Sequence, residues 1–355
     1  MGFAPSPACF ASLSPHLHAQ YALLEEIGVG GSGVVVKVRR RADGLVLAAK
    51  LISRDRVPRQ NLVRTGRWGF VPKGFDEHGL GGIVVPAEAY ALRRLAGHPG
   101  VCGFVDLFAD ELFYYLIMEY HGASWQATVD EPQVSLPPTP PISPLSACTP
   151  LSRTASEEHS LIITPGAVPR PPPMMRRSSS DLFDWVERQR HFSEASARYI
   201  FHQLVHTACD LARSGVLHCD WKDENICIDE RLRVKLVDFG SAVMFDPSGP
   251  APIQHEKRFY GTCTYASPQV FAGAPYAMLP AEVWALGVLL HVLLFGENPF
   301  RSPADATAGA RLETRVPLSP LATDLLDRCL MVDVERRITL EEMRSHPWVA
   351  GQWTA

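Results

Sequence analysis

Alternating apolar and polar positions dominate the start of the chain. Tyr21-Ala22-Leu23-Leu24-Glu25-Glu26-Ile27 and Val34-Val35-Val36-Lys37-Val38 read as β-strands flanking Gly28-Val29-Gly30-Gly31-Ser32-Gly33. Asp43-Gly44 is a hairpin signal, and Leu45 to Lys50 is the next strand. The glycine-rich stretch from Ser53 to Val85, with Trp68, reads as a loop. Pro86 then opens a helix carried on by Glu88, Leu92 and Leu95, since proline suits a first turn. Leu112 to Tyr120 reads as a further strand. From Asp181 the period turns helical, and Ser193 to Leu211 is a long amphipathic helix that stops before Gly215. The longest apolar run, Val283 to Phe295, holds Trp284, Gly287 and His291 and reads as a buried helix rather than a bilayer span.

Two stretches break the pattern. Residues 1–20 are rich in proline, serine and histidine and read as a loose tail. Residues 126–180 are dominated by proline, serine and threonine, including Pro137-Pro138-Thr139-Pro140-Pro141. Such a composition cannot bury enough apolar surface to offset its ordering entropy and reads as a disordered insertion. It carries Arg176-Arg177-Ser178-Ser179-Ser180 and Arg153-Thr154-Ala155-Ser156, with arginine upstream of serine.

Composition narrows the class. In 355 residues, 46% are hydrophobic, enough for a sizeable core in a globular chain. The net charge of −4 argues against nucleic-acid binding, which calls for a basic face. Eight cysteines without paired spacing suggest neither a zinc site nor a disulfide framework, and a cytoplasmic or nuclear location is expected. The start lacks the blocks of a signal peptide. Met1-Gly2 formally fits an acylation pattern, but Phe3 and Pro7 are poor neighbours for it.

Candidate chemistry lies in His218-Cys219-Asp220-Trp221-Lys222-Asp223-Glu224-Asn225, followed by Asp238-Phe239-Gly240 at the end of the strand-like run Arg233 to Val237. One such cluster alone could be a turn of solvated charges. Likewise G-x-G-x-x-G alone could be a dinucleotide turn, but here a strand follows it where that fold needs a helix. Taken together, these motifs resemble the protein kinase family, whose catalytic loop reads H-R-D-L-x-x-x-N and precedes D-F-G. Gly261-Thr262-Cys263-Thr264-Tyr265-Ala266-Ser267-Pro268-Gln269 resembles its G-T-x-x-Y-x-A-P-E. Glu282 to Gly287, Arg337 and His346-Pro347-Trp348 resemble its later landmarks. Within the family, Asp223-Glu224-Asn225, Asp238 to Ala242, Phe295 to Phe300, Trp68 and Val85-Pro86 before Glu88 are most similar to the PAS-kinase and Pim branch of the calmodulin-kinase group.

The resemblance implies an α+β fold of two lobes, a small β-rich N-lobe and a larger helical C-lobe. The N-lobe and hinge would occupy 21–125 and the C-lobe 181–350, with a short tail at 351–355. It implies ATP and Mg²⁺ as cofactors and protein Ser/Thr hydroxyls as phosphate acceptors. Asp220 would be the catalytic base, Lys222 would touch the transferred phosphate, and Asn225 and Asp238 would hold metal. Lys50 would pair the phosphates and Glu88 would pair Lys50, while Thr262 would brace the substrate-side loop. Gly28, Gly30, Gly33, Val35, Ala48, Met118, Glu119, His121 and Cys227 would surround the nucleotide. Glu224, Asp181 and Asp184 would receive substrate arginine, although Asp181 can equally cap its own helix. The expected partners are therefore proteins with basic residues near the phosphosite, with no membrane span.

Four positions depart from the family pattern. Cys219 replaces the arginine before the catalytic aspartate, and Gln269 replaces the A-P-E glutamate, leaving Arg337 an amide partner. Glu282 replaces an aspartate that anchors the catalytic loop, and Cys227 takes a leucine position. Every phosphate- and metal-handling group is kept. An active kinase therefore stands ahead of a catalytically weak pseudokinase scaffold.

Overall fold

The computed structural model describes residues 13–29, 33–65, 72–75, 82–122, 181–254, 259, 261–273, 275–313 and 316–351. The expected insertion at 126–180, Gly30 and Trp68 lie outside the described residues.

Five antiparallel strands form the N-terminal sheet in the order β1-β2-β3-β7-β6. They are β1 (Tyr21–Val29), β2 (Gly33–Arg40), β3 (Val46–Ser53), β6 (Phe104–Ala109) and β7 (Phe113–Glu119). Alternation gives the sheet two apolar faces. One buries Val36, Val38, Ala49, Leu51, Phe108, Tyr115 and Ile117 in a core of its own; the other, with Ala48, Ile52, Leu116 and Met118, joins the core that runs into the helical part.

The first face is covered by residues expected to be a tail. Ser14 caps helix α1 (Pro15–Gln20), and Leu13 and Leu17 are buried against Phe108 and Tyr115. The Ser14 amide also donates to the Tyr115 hydroxyl at 3.1 Å. Residues 13–20 thus pack onto the sheet, because leucines four apart on either side of the Ser14 cap outweigh a Pro/Ser-rich composition.

The stretch expected to be a loop after β3 also holds structure. A 3₁₀ turn (Arg59–Asn61) leads into β4 (Leu62–Thr65), which pairs with β5 (Ile83–Pro86) in the register Leu62↔Pro86 to Thr65↔Ile83. Pro86 ends β5 and is the N-cap residue of α2 (Ala87–Arg94), so this hairpin directly sets the start of the helix carrying Glu88.

The C-terminal part is helical. Asp181 caps α3 (Leu182–Gln189) and Ser193 caps α4 (Glu194–Arg213). Short strands β8 (Val216–Leu217), β9 (Ile226–Ile228), β10 (Val234–Leu236) and β11 (Val243–Met244) frame the loops between them. Then come β12 (Ile253–Gln254), paired with β13 (Tyr276–Ala277), and α5 (Pro268–Phe271). Next are α6 (Met278–Phe295), α7 (Pro303–Ala308), α8 (Pro320–Cys329), α9 (Leu340–Ser345) and α10 (Pro347–Ala350). By length and composition α6 is apolar enough to cross a membrane. Here Trp284, Leu286, Val288, Leu289, Leu290 and Leu293 are fully buried inside this part of the protein, the environment of a core helix.

Candidate active site

Register builds the first half of the site. Lys50 lies opposite Val35 on β2 and Leu116 on β7, and its ammonium bonds both Glu88 oxygens at 2.8 Å. The same nitrogen lies 2.8 Å from Asp238 Oδ1. Burial alone would lower the Lys50 pKa, but the Asp238 and Glu88 carboxylates outweigh it and raise the group. Enclosure pushes the Asp238 carboxyl up, and the Lys50 ammonium overrides this and holds it well below the usual range. Glu88, only 4% exposed, is raised by burial despite its contact with Lys50.

The second half is the catalytic loop. Asp220 Oδ1 accepts from the Thr262 amide at 2.9 Å and the Thr262 hydroxyl at 2.8 Å. Its Oδ2 accepts from Asn225 Nδ2 at 2.9 Å and lies 3.5 Å from Lys222 Nζ. The His218 ring meets Val237 O at 3.0 Å and stands edge-on to Phe239, joining the loop to D-F-G. Cys219 sits at φ 64°, a left-handed conformation costly for a side chain with a Cβ. Glu282 holds it there. Its two oxygens accept from the amides of His218 (3.2 Å) and Cys219 (2.9 Å) and from Trp221 Nε1 (2.7 Å). The carboxylate that replaces the family aspartate therefore still anchors the loop. Farther back, Arg337 Nη2 donates to Gln269 Oε1 at 2.9 Å, the amide contact expected there.

On the nucleotide side, Gly28 ends β1 and Gly33 opens β2; a Cβ on Gly33 would fall 1.9 Å from Leu51 O. Ala48 and Met118 are buried in one apolar cluster, with Val35 packed against it. Glu119 directs its carboxylate away from this cluster's strand pairing, to Lys235 Nζ (2.6 Å) and the Gly103 amide (3.0 Å). His121 Nε2 lies 3.2 Å from Arg233 O, so both hinge side chains tie to groups outside the N-terminal sheet. Cys227, on β9, is held as a neutral thiol by its contact with Cys102 and by burial.

The three carboxylates expected to meet substrate arginine separate. Asp181 is 7% exposed and accepts from the Asp184 amide at 2.9 Å through Oδ1, the helix-cap alternative. Asp184 stands in the first turn of α3, and Glu224 pairs with Lys222 at 3.1 Å.

The donor set fits a small hard cation beside phosphates. Asn225 uses Nδ2 as donor to Asp220, which leaves Oδ1 as acceptor, and Asp238 uses Oδ1 for Lys50 and the Gly240 amide. One amide oxygen and one carboxylate oxygen suit Mg²⁺, which completes its shell with waters and phosphate oxygens. Two residues given no role by the sequence also belong here: Trp221, whose Nε1 donates to Glu282, and Asn61, whose Nδ2 donates to Gly240 O at 2.9 Å.

Comparison with known proteins agrees with this geometry. Residues 174–349 match the protein kinase domain family. Serine/threonine-protein kinase prk-2 of Caenorhabditis elegans is 29% identical over 336 residues, covering 94% of this chain and 58% of that protein. NUAK family SNF1-like kinase 1 of Homo sapiens is 34% identical over 338 residues, 94% of this chain and 39% of that protein. The PAS domain-containing serine/threonine-protein kinase of Mus musculus is 38% identical over 175 residues, 48% of this chain and 12% of that protein. The chain carries a eukaryotic Ser/Thr-type protein kinase domain. It spans well under two thirds of the length of these relatives.

Proposed function

We propose that the chain transfers the γ-phosphoryl group of ATP to Ser/Thr hydroxyls of proteins. The observation that carries this reading is the restrained Asp220 carboxylate, fixed by Thr262 and Asn225 within 3.5 Å of Lys222. A carboxylate so placed orients the acceptor hydroxyl and takes its proton, and Lys222 offsets charge on the phosphoryl oxygens. Lys50, fixed by Glu88, orients the nucleotide phosphates. Asn225 and Asp238 would hold Mg²⁺, which when bound neutralises phosphate charge.

Three finer features follow from the same residues. Substrate arginine upstream of the acceptor is read by Glu224 and Asp184, since Asp181 caps α3. The enzyme works without a phosphate on its activation segment, because Cys219 offers no cation to pair with one. The cysteines among the described residues are free thiols, which suits work in the cytoplasm or nucleus.

The test is phosphotransfer to an arrayed peptide library with Asp220→Asn as control. Rates should fall on the order of 10²–10⁴-fold in the variant. Nucleotide-dependent thermal stabilisation without any transfer by the parent protein would return the scaffold reading.

A further inference from the structure

D-F-G is held from several sides, although the residue before Asp220 is Cys219. Asp238 stands at φ 58°, ψ 74°, a left-handed conformation that persists only when its neighbours over-determine it. The Gly240 amide turns back to Asp238 Oδ1 at 3.1 Å, and Lys50 takes the same oxygen at 2.8 Å. The next peptide groups are held from outside. Glu88 packs close beside Gly240, where a Cβ would lie 3.9 Å from Glu88 Oε2, and the Gly240 carbonyl accepts from Asn61 Nδ2 at 2.9 Å.

Those two outside partners belong to one piece of chain. Asn61 ends the 3₁₀ turn, with its own amide on Pro58 O at 2.8 Å. The following residue, Leu62, pairs with Pro86, the N-cap residue of α2, and Glu88 lies in that helix's first turn. The β4–β5 pairing therefore fixes Asn61 and Glu88 relative to each other and sets both against D-F-G.

We propose that Asn61 is a positioning residue for the phosphotransfer reaction, holding the Gly240 carbonyl so that Asp238 faces the phosphates. The hairpin thereby supplies, through an amide 179 residues from its acceptor, ordering that Cys219 cannot recruit from an activation-segment phosphate. This deepens the phosphotransfer reading and rests on it.

The experiment compares the parent chain with Asn61→Asp, which keeps the shape and loses the donor, and with Asn61→Ala. Three quantities are measured: kcat and peptide KM, melting temperature, and affinity for an ATP-competitive compound that fills the space Phe239 vacates when D-F-G turns outward. Loss of one hydrogen bond that stabilises the inward state should shift the inward–outward equilibrium about fivefold. With the inward state predominant in the parent, affinity for the compound, which binds the competing state, should rise by nearly that factor, while kcat falls by less and peptide KM is unchanged. Unchanged affinity in both variants overturns the proposal. So does a fall in melting temperature with no rise in that affinity. If the parent transfers no phosphate, the phosphotransfer reading fails, while the compound's affinity still decides the role of Asn61.

Discussion

Trp221 Nε1 donates to Glu282 Oε2 at 2.7 Å, and both side chains are buried. The two residues stand where the kinase family pattern has leucine and aspartate, so the larger indole and the longer carboxylate fill one site together. The carboxylate binds the indole and the strained peptide at Cys219 at once. Glu282→Asp shortens the reach, and Trp221→Leu leaves a cavity and removes one of the two donors on Glu282 Oε2. Each should cost roughly 2–4 kcal/mol in denaturant unfolding. The double variant should be less damaged than the sum by about 1 kcal/mol or more. Strict additivity would refute the coupling.

Burial pushes the Glu282 carboxyl up to about 7, against the hydrogen bonds from Trp221, Cys219 and His218 that favour its charged form. The folded state therefore binds this proton more tightly than the unfolded chain does, whose value is 4.5. The resulting stability is complete below about pH 4.5 and is lost as pH rises through about 7, roughly 3 kcal/mol over that window. Glu282→Gln has no such titration. The melting-temperature difference, parent minus variant, should fall between pH 5 and pH 8 and stay flat above. A constant difference would contradict the assignment.

Arg337 is buried, and burial lowers its pKa to about 10. Its guanidinium is satisfied by Met331 O, Pro280 O and Gln269 Oε1, and it lies over the Trp284 ring at 5.0 Å. Gln269 also donates to Val332 O at 2.8 Å, a bond that glutamate could not make. Gln269→Ala should destabilise the fold by about 1–3 kcal/mol, read by urea denaturation.

Leu17 is fully buried on the sheet face formed by Phe108 and Tyr115. Leu17→Ala should cost about 2–5 kcal/mol, and removal of residues 1–20 should cost more. Equal melting temperatures for parent and truncated chain would show that α1 adds nothing.

The elements carrying chemistry were legible because each is marked by local residues. Glycines between strands mark the loop, Lys50 lies within an apolar strand, and Asp220 and Asp238 sit in recognisable strings. The capping role of Asp181 was readable from its helix. The parts that escaped depend on distant partners. Leu13 and Leu17 gain their meaning from Phe108 and Tyr115, many residues later. Likewise β4 and β5 are four-residue strands across a glycine-rich stretch, too short for alternation to declare them. Asn61 looks like any turn residue until Gly240 is placed beside it.

Helix α6 has consequences for how the chain is made. It packs against α4, which is synthesised before it, and against α8 and α9, which are synthesised after it. While translation runs from Phe295 to Ser345, this largely apolar helix lacks the cover that α8 and α9 later supply. The nascent chain thus exposes its stickiest surface during synthesis, when aggregation competes with folding. Chains cut short before α9 should therefore be clients of chaperones or lost to inclusion bodies, whatever the stability of the finished domain.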